Sequence, residues 1–411
     1  MEKTESLSAP LKRINVLDAL RGFALLGVIM VHMLQYFSVY PARTEAIEPL
    51  FPSIDPMVEW LLDHVISGRF INIFAFLFGL SFFIQMDRAA RKGIDFRQRF
   101  LWRMLLLFLI GMVGNAFFSG DIISIYAVFG TIMVLFQKAK NWLLLLLAGL
   151  LLIGTPRMLQ IAHTSMTTEL AMEDGNVVSA ARETFAQGQE PSFWNTVRYN
   201  YTHRLAGKLD YQFGLIGRGY LTLALFLLGL VVGRIRFFEN LGEHKRRNLR
   251  LFLGFALGGL VVNASIALLP AIDLRAILMG GGLGASAIDL LIMCLMDLEL
   301  LLFSGAMALG FILLYQYRPL GKHLDILSPY GRMGLTNYEL QGVIGCLLFN
   351  SWALGSIFGK FGPTELFVLG LLIYVLQVLF SKWWLKHFLY GPLEWLWRSG
   401  TYLKAQPFRR E

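Results

Sequence analysis

Residues 13–33 read Arg-Ile-Asn-Val-Leu-Asp-Ala-Leu-Arg-Gly-Phe-Ala-Leu-Leu-Gly-Val-Ile-Met-Val-His-Met. This apolar run is long enough to cross a bilayer as a helix. Arg13, Asp18 and Arg21 stand where it begins, and His32 stands near its far end. Charges inside or beside such a run are costly in hydrocarbon, so the stretch reads as a functional site in a membrane protein.

Composition extends that reading to the whole chain. Of 411 residues, 56% are hydrophobic and 16% charged, with 33 Phe; a soluble chain of this length needs more charge to cover its surface. The expected fold class is therefore all-α, a polytopic transmembrane helix bundle forming a single domain over 1–411. The net charge of +9 does not point to nucleic acid, because Lys and Arg come in short clusters between apolar runs, where they set topology and meet anionic lipid. Cys294 and Cys346 lie in apolar segments without ligand spacing, so neither a disulfide framework nor a metal site is expected. The first run is too long for a signal-peptide core and is expected to stay as an anchor behind a cytoplasmic tail.

Apolar runs of spanning length fall near 15–36, 64–86, 101–118, 122–137, 141–158, 217–237, 251–269, 296–316, 335–352 and 364–381, about ten in all. The exits of the even-numbered runs are basic: Arg88 to Arg103, Lys138 and Lys140, Arg234 to Arg250, then Arg318, Lys322 and Arg332. The odd-numbered exits carry little positive charge, which places both termini in the cytoplasm. Residues 159–214 form a long external segment in which Trp194, Val197, Tyr201 and Leu205 repeat at helical spacing, as in an amphipathic helix on the membrane face. Residues 272–296 are rich in glycine and read as a loop or re-entrant piece. Residues 382–411 read as a cytoplasmic interfacial segment, with Glu394 and Arg398 spaced for a salt bridge between Trp residues.

Several constellations could carry chemistry. Asp18 and Arg21 share a helix face, where they can pair or together hold a phosphate-bearing group. His32 lies eleven residues beyond Arg21, close to three turns and about 16 Å further along nearly the same face. Arg332, Thr336, Asn337 and Gln341 offer donors at helical spacing, for the phosphates and amides of a thioester donor or for helix-to-helix bonding. Arg69 sits within an apolar run and needs a partner, for which Asp121 and Glu59 are the candidates. Asp121, just before Ile122, is placed to cap a helix, and Asp289, Asp297 and Glu299 form an acidic group read as solvated.

These residues also carry a resemblance. Leu17-Asp18-Ala19-Leu20-Arg21-Gly22-Phe23-Ala24 followed by His32 resembles the first-span signature of the transmembrane acyltransferase superfamily. Gly68-Arg69-Phe70, Gly120-Asp121-Ile122-Ile123, Gly331-Arg332-Met333 with Leu335-Thr336-Asn337-Tyr338 and Gln341, and Gly391-Pro392-Leu393-Glu394-Trp395 resemble the narrower YeiB-like (DUF418-type) family of bacterial inner-membrane proteins. That family commonly has Asn where this chain has His32, and His where it has Asn115. The superfamily resemblance implies acyl-CoA as donor and no metal. It implies Arg21 as a donor contact and His32 as base; Arg332, Thr336, Asn337 and Gln341 are added as donor contacts from their spacing, and Asp18 is a further catalytic candidate. His64 is the counterpart of the catalytic His of the lysosomal branch. The acceptor would be a hydroxyl or amine on a small molecule, glycan or lipid, and membrane lipids and a second copy of the chain are the partners expected. The other reading of the same spans is a transporter or lipid-handling protein without acyl transfer.

Overall fold

A computed structural model of the chain describes residues 14–37, 49–173, 191–239, 241–279, 282 and 285–410; Arg13 lies outside them. Among the described residues the architecture is helical, with no strand and one isolated bridge between Phe388 and Arg409. In chain order the helices are α1 (Asn15–Val31), α2 (Asp55–Leu61), α3 (Arg69–Ala90), α4 (Arg97–Phe117), α5 (Ile123–Met133), α6 (Asn141–Leu152) and α7 (Thr155–Glu173). There follow α8 (Phe193–Thr202), α9 (Arg204–Phe213), α10 (Arg218–Arg234), α11 (Lys245–Ala267), α12 (Leu274–Met279) and α13 (Ala287–Gln316). The chain closes with α14 (Arg318–Leu324), α15 (Leu327–Arg332), α16 (Gly334–Phe349), α17 (Gly355–Phe358), α18 (Pro363–His387) and α19 (Pro392–Tyr402).

Among the described residues six helices are long and apolar enough to cross a membrane, or up to eight if the bent pairs α6–α7 and α9–α10 each count as one span. The polytopic helical bundle is as expected, with six to eight candidate spans where the apolar runs suggest about ten. All ten apolar runs are helical, but α5 has 11 residues and α16 has 16. At 1.5 Å per residue, about 17 Å for α5, such a helix does not cross a hydrocarbon core of about 30 Å. The 272–296 region is also more helical than expected: α12 lies in it, and α13 begins at Ala287, where Ser286 and Asp289 form a capping box. Helix α18 runs on to His387, six residues past its expected end.

Helix α1 is the hub. Within the protein, 78% of its spanning window is buried, against 6% for α11 at the periphery. Glycines set its neighbours: a Cβ on Gly331 of α15 would come 1.9 Å from the Asp18 carbonyl, and one on Gly22 would come 2.5 Å from that of Leu327. The two backbones therefore touch, as in small-residue packing between membrane helices. At its far end α1 widens into a π-helical turn, His32–Phe37, and α2 does the same at Leu62–Ile66; such wide turns frequently mark functional sites.

The basic helix termini meet at one end of the bundle. Arg234 donates to the carbonyls of Phe136 and Gln137, Arg236 pairs with Asp87 at 3.1 Å, and Trp397 of α19 donates to the Arg103 carbonyl. The opposite end carries the π turns, α2, α8, α9 and the Gly120-Asp121 turn.

Candidate functional site

At the basic end, Arg21 donates to Asp18 at 2.7 Å and to Ser81 of α3 at 2.6 Å. This fixes the guanidinium at the wall of a cavity of about 280 Å³ that is also lined by Arg103, Arg332, Glu394 and Tyr126. Arg103 lies 3.6 Å over the Trp397 ring, a cation–π contact that orients it. Arg332 borders a second, surface cleft as well, together with Lys322 and Lys382. Cations thus gather where the apolar channel walls of Phe74, Phe78 and Phe82 begin, an arrangement suited to an anionic head with an uncharged arm.

Thr336, Asn337 and Gln341 face elsewhere. The Glu394 carboxylate accepts from the backbone N–H groups of Leu335 and Thr336 at 2.8 and 3.0 Å and from the Thr336 hydroxyl at 2.6 Å, capping α16 from α19. Asn337 donates to the Tyr330 carbonyl and to Ser381, while Gln341 donates to the Tyr330 hydroxyl, which itself donates to Gln377. None of the three lines the cavity at Arg21. They act as helix-to-helix ties; of the five expected donor contacts, Arg21 and Arg332 line this cavity. Glu394 is likewise not spent on Arg398, whose guanidinium lies over the Tyr390 and Tyr402 rings.

At the opposite end a cavity of about 610 Å³ opens between α1, α3, α5, α9 and α10. His32 lines it, 6% exposed, with its ring 4.9 Å from Phe118, 5.1 Å from Phe37 and 5.6 Å from Tyr338. Its Nδ1 has no hydrogen-bond partner among the described residues. Buried polar atoms are rarely left so, and one beside open space is a place for a ligand. Asp18, about four turns away, is engaged with Arg21 and does not share this cavity.

The other walls come from the long segment expected to be external. The apolar stripe does not form one surface helix: the chain breaks at His203 into α8 and α9, and Trp194 is 74% exposed. Helix α8 is tied to the end of α4, where Tyr201 donates to the Met112 carbonyl and Asn200 to that of Ala116. This sets α9 against the cavity, to which it presents Arg204, Lys208, Asp210 and Tyr211. Lys208 donates to Asn115 at 2.9 Å and to Ser124 at 3.1 Å. Asp121, capping α5 through the N–H groups of Ile123 and Ser124, lies near enough for the Lys208 ammonium to draw its carboxyl down, while burial, the larger effect, pushes it above the usual range.

The remaining ion pairs hold this end together. Arg69 pairs with Glu299 at 2.7 Å, both side chains nearly enclosed, so its partner is neither Asp121 nor Glu59. Arg157 pairs with Asp297 at 2.9 Å. The acidic group is therefore mostly paired rather than solvated. Arg218 donates to Asn72, which donates to Ser304. His64 is exposed; it stacks on Trp60 and its Nδ1 meets the Trp60 carbonyl at 3.0 Å. It lies outside the cavity, which of the two expected histidines only His32 lines. Sequence reasoning passed over Lys208, Arg218 and Tyr126. The spacing of Arg204, Lys208 and Tyr211, which shares one helix face, was the available signal.

The model of the family described as "Protein of unknown function (DUF418)" matches residues 232–404. The uncharacterized protein YxaH of Bacillus subtilis is 29% identical over 97% of this chain and 97% of its own. The uncharacterized 39.9 kDa protein in the amylase 3' region of Bacillus acidopullulyticus is 30% identical, covering 96% of both chains. The uncharacterized protein YeiB of Escherichia coli is 27% identical over 97% of this chain and 98% of its own. With identity at that level sustained from end to end, the chain belongs to the YeiB-like DUF418 family of multi-span membrane proteins.

Proposed function

We propose that the protein is an acyltransferase of the bacterial inner membrane. An acyl-CoA in the cytoplasm sets its phosphates against Arg21 and Arg332, with Arg103 beside them, and runs its uncharged arm into the cavity between α3 and α4. A hydroxyl or amine acceptor, external or lipid-linked, occupies the cavity at His32, where Lys208, Asp63, Asp210 and Tyr211 offer contacts to its polar groups. His32 Nδ1 takes the acceptor's proton as the acceptor oxygen or nitrogen attacks the thioester carbonyl. The C–S bond breaks, and the imidazolium returns the proton to the departing CoA thiolate. The observation that supports this reading is the pair of cavities at opposite ends of one bundle, one edged with arginines and the other holding a histidine nitrogen without a partner. The same two-sided arrangement favours a second reading, transport without covalent change.

Thermal unfolding of the detergent-solubilised protein with CoA and short acyl-CoAs separates the two. A ligand that binds only the native state stabilises it by about 2.7 kcal/mol at a hundredfold excess over Kd. Acetyl-CoA is expected to raise the Tm of the wild type and of His32→Ala but not of Arg21→Ala, while His32→Ala loses thioester turnover. No shift with any thioester, together with solute movement across proteoliposomes, overturns acyl transfer in favour of transport.

A further inference from the structure

The two cavities approach each other through the middle of the bundle, and among the described residues a single one lines both. Ile122 and Ile125 face the His32 cavity and Ile123 faces the Arg21 cavity, whereas Tyr126 of α5 belongs to the wall of each. Its ring is wedged edge-on, 5.5 Å from Phe78 and 5.1 Å from Phe226, and is 2% exposed. Phe226 is itself pinned, since a Cβ on Gly79 would come 2.0 Å from its carbonyl oxygen, so α3 and α10 cannot part there without losing backbone contact. The Tyr126 hydroxyl reaches the Ile71 carbonyl only at 3.5 Å, too long to hold the ring. Packing fixes it.

We propose that the Tyr126 side chain is the partition between a cavity reached from one face of the membrane and a cavity reached from the other. The partition is steric: the ring closes the passage, and the hydroxyl is not needed. Any group that passes from the Arg21 side to the His32 side must displace this ring. The inference concerns access and stands whether the protein transfers acyl groups or transports a solute.

The test is cysteine accessibility in a Cys294→Ser, Cys346→Ser background. Ser67→Cys reports the His32 cavity and Ser81→Cys the Arg21 cavity. A small membrane-impermeant thiol reagent is applied to spheroplasts or to inverted vesicles. With Tyr126 present, each cysteine is expected to react from its own side only. Tyr126→Phe should keep that pattern, and Tyr126→Ala should raise the wrong-side rate at least tenfold at both cysteines. The own-side rate serves as the check on folding; if Tyr126→Ala loses it, Tyr126→Leu is read by the same criteria. Wrong-side labelling with Tyr126 in place overturns the proposal, as does one-sided labelling that persists in the truncated variant with its own-side rate intact.

Discussion

The polar groups at the two ends of the bundle are handled in opposite ways. At the start of α16, the Glu394 carboxylate accepts three donors at once, and the amide N–H groups of Asn337 and Gln341 tie α16 to α15 and α18, although their amide oxygens have no partner among the described residues. At the far end of α1, His32 is as deeply buried, yet its Nδ1 meets aromatic rings and open space. A buried group whose bonds are made adds to stability, whereas one left unmade carries a desolvation cost of about 1–3 kcal/mol. The first is how a membrane bundle holds its shape, and the second is what a binding site keeps in reserve. Residues at comparable depth can therefore be sorted by what they touch rather than by their type.

That sorting makes measurable differences. Arg69→Ala strands the enclosed Glu299 carboxylate and is expected to cost about 3–5 kcal/mol; the paired change Arg69→Met, Glu299→Met should recover most of it, measured by thermal unfolding in detergent. Recovery would show that the pair shapes the outer end without being needed as a charge. Glu394→Ala leaves two backbone N–H groups of α16 and the Thr336 hydroxyl without their acceptor and should cost about 2–3 kcal/mol, with Glu394→Gln restoring part. His32→Ala gives up ring packing but also removes an unsatisfied nitrogen, so stability is expected to stay within about 1 kcal/mol of the wild type while thioester turnover is lost. A large drop in stability at His32, or none at Glu394, would erase the contrast between the two ends.

Much of this was legible from local spacing. Asp18 and Arg21, three residues apart, pair as their shared face requires, and Asp121, just before Ile122, accepts from the first N–H groups of α5. What could not be read was set by partners far along the chain. Arg69 finds Glu299, 230 residues away, because α3 and α13 pack side by side. Thr336 and Leu335 are capped by Glu394 from α19, which makes an apparent cofactor-binding stripe into a helix cap. The length of the polar segment before α10 hinted at a covering element, but only the break at His203 and the ties of α8 to α4 turn α9 toward His32. Span counting met the same limit: α5 is as apolar as its neighbours, yet it begins after the Gly120-Asp121 turn and ends at Met133, four residues short of its apolar run.

The partition at Tyr126 also bears on electricity. A membrane potential drops where the medium is least polarisable, and here cavities from both faces approach to within one aromatic side chain on that short helix. Much of the voltage then falls across the thickness of that ring instead of the full bilayer. An elementary charge carried past Tyr126 would exchange most of the roughly 2.3 kcal/mol per 100 mV available for a complete crossing. Whatever moves there, a charged species would feel the energised state of the cell over a few ångströms.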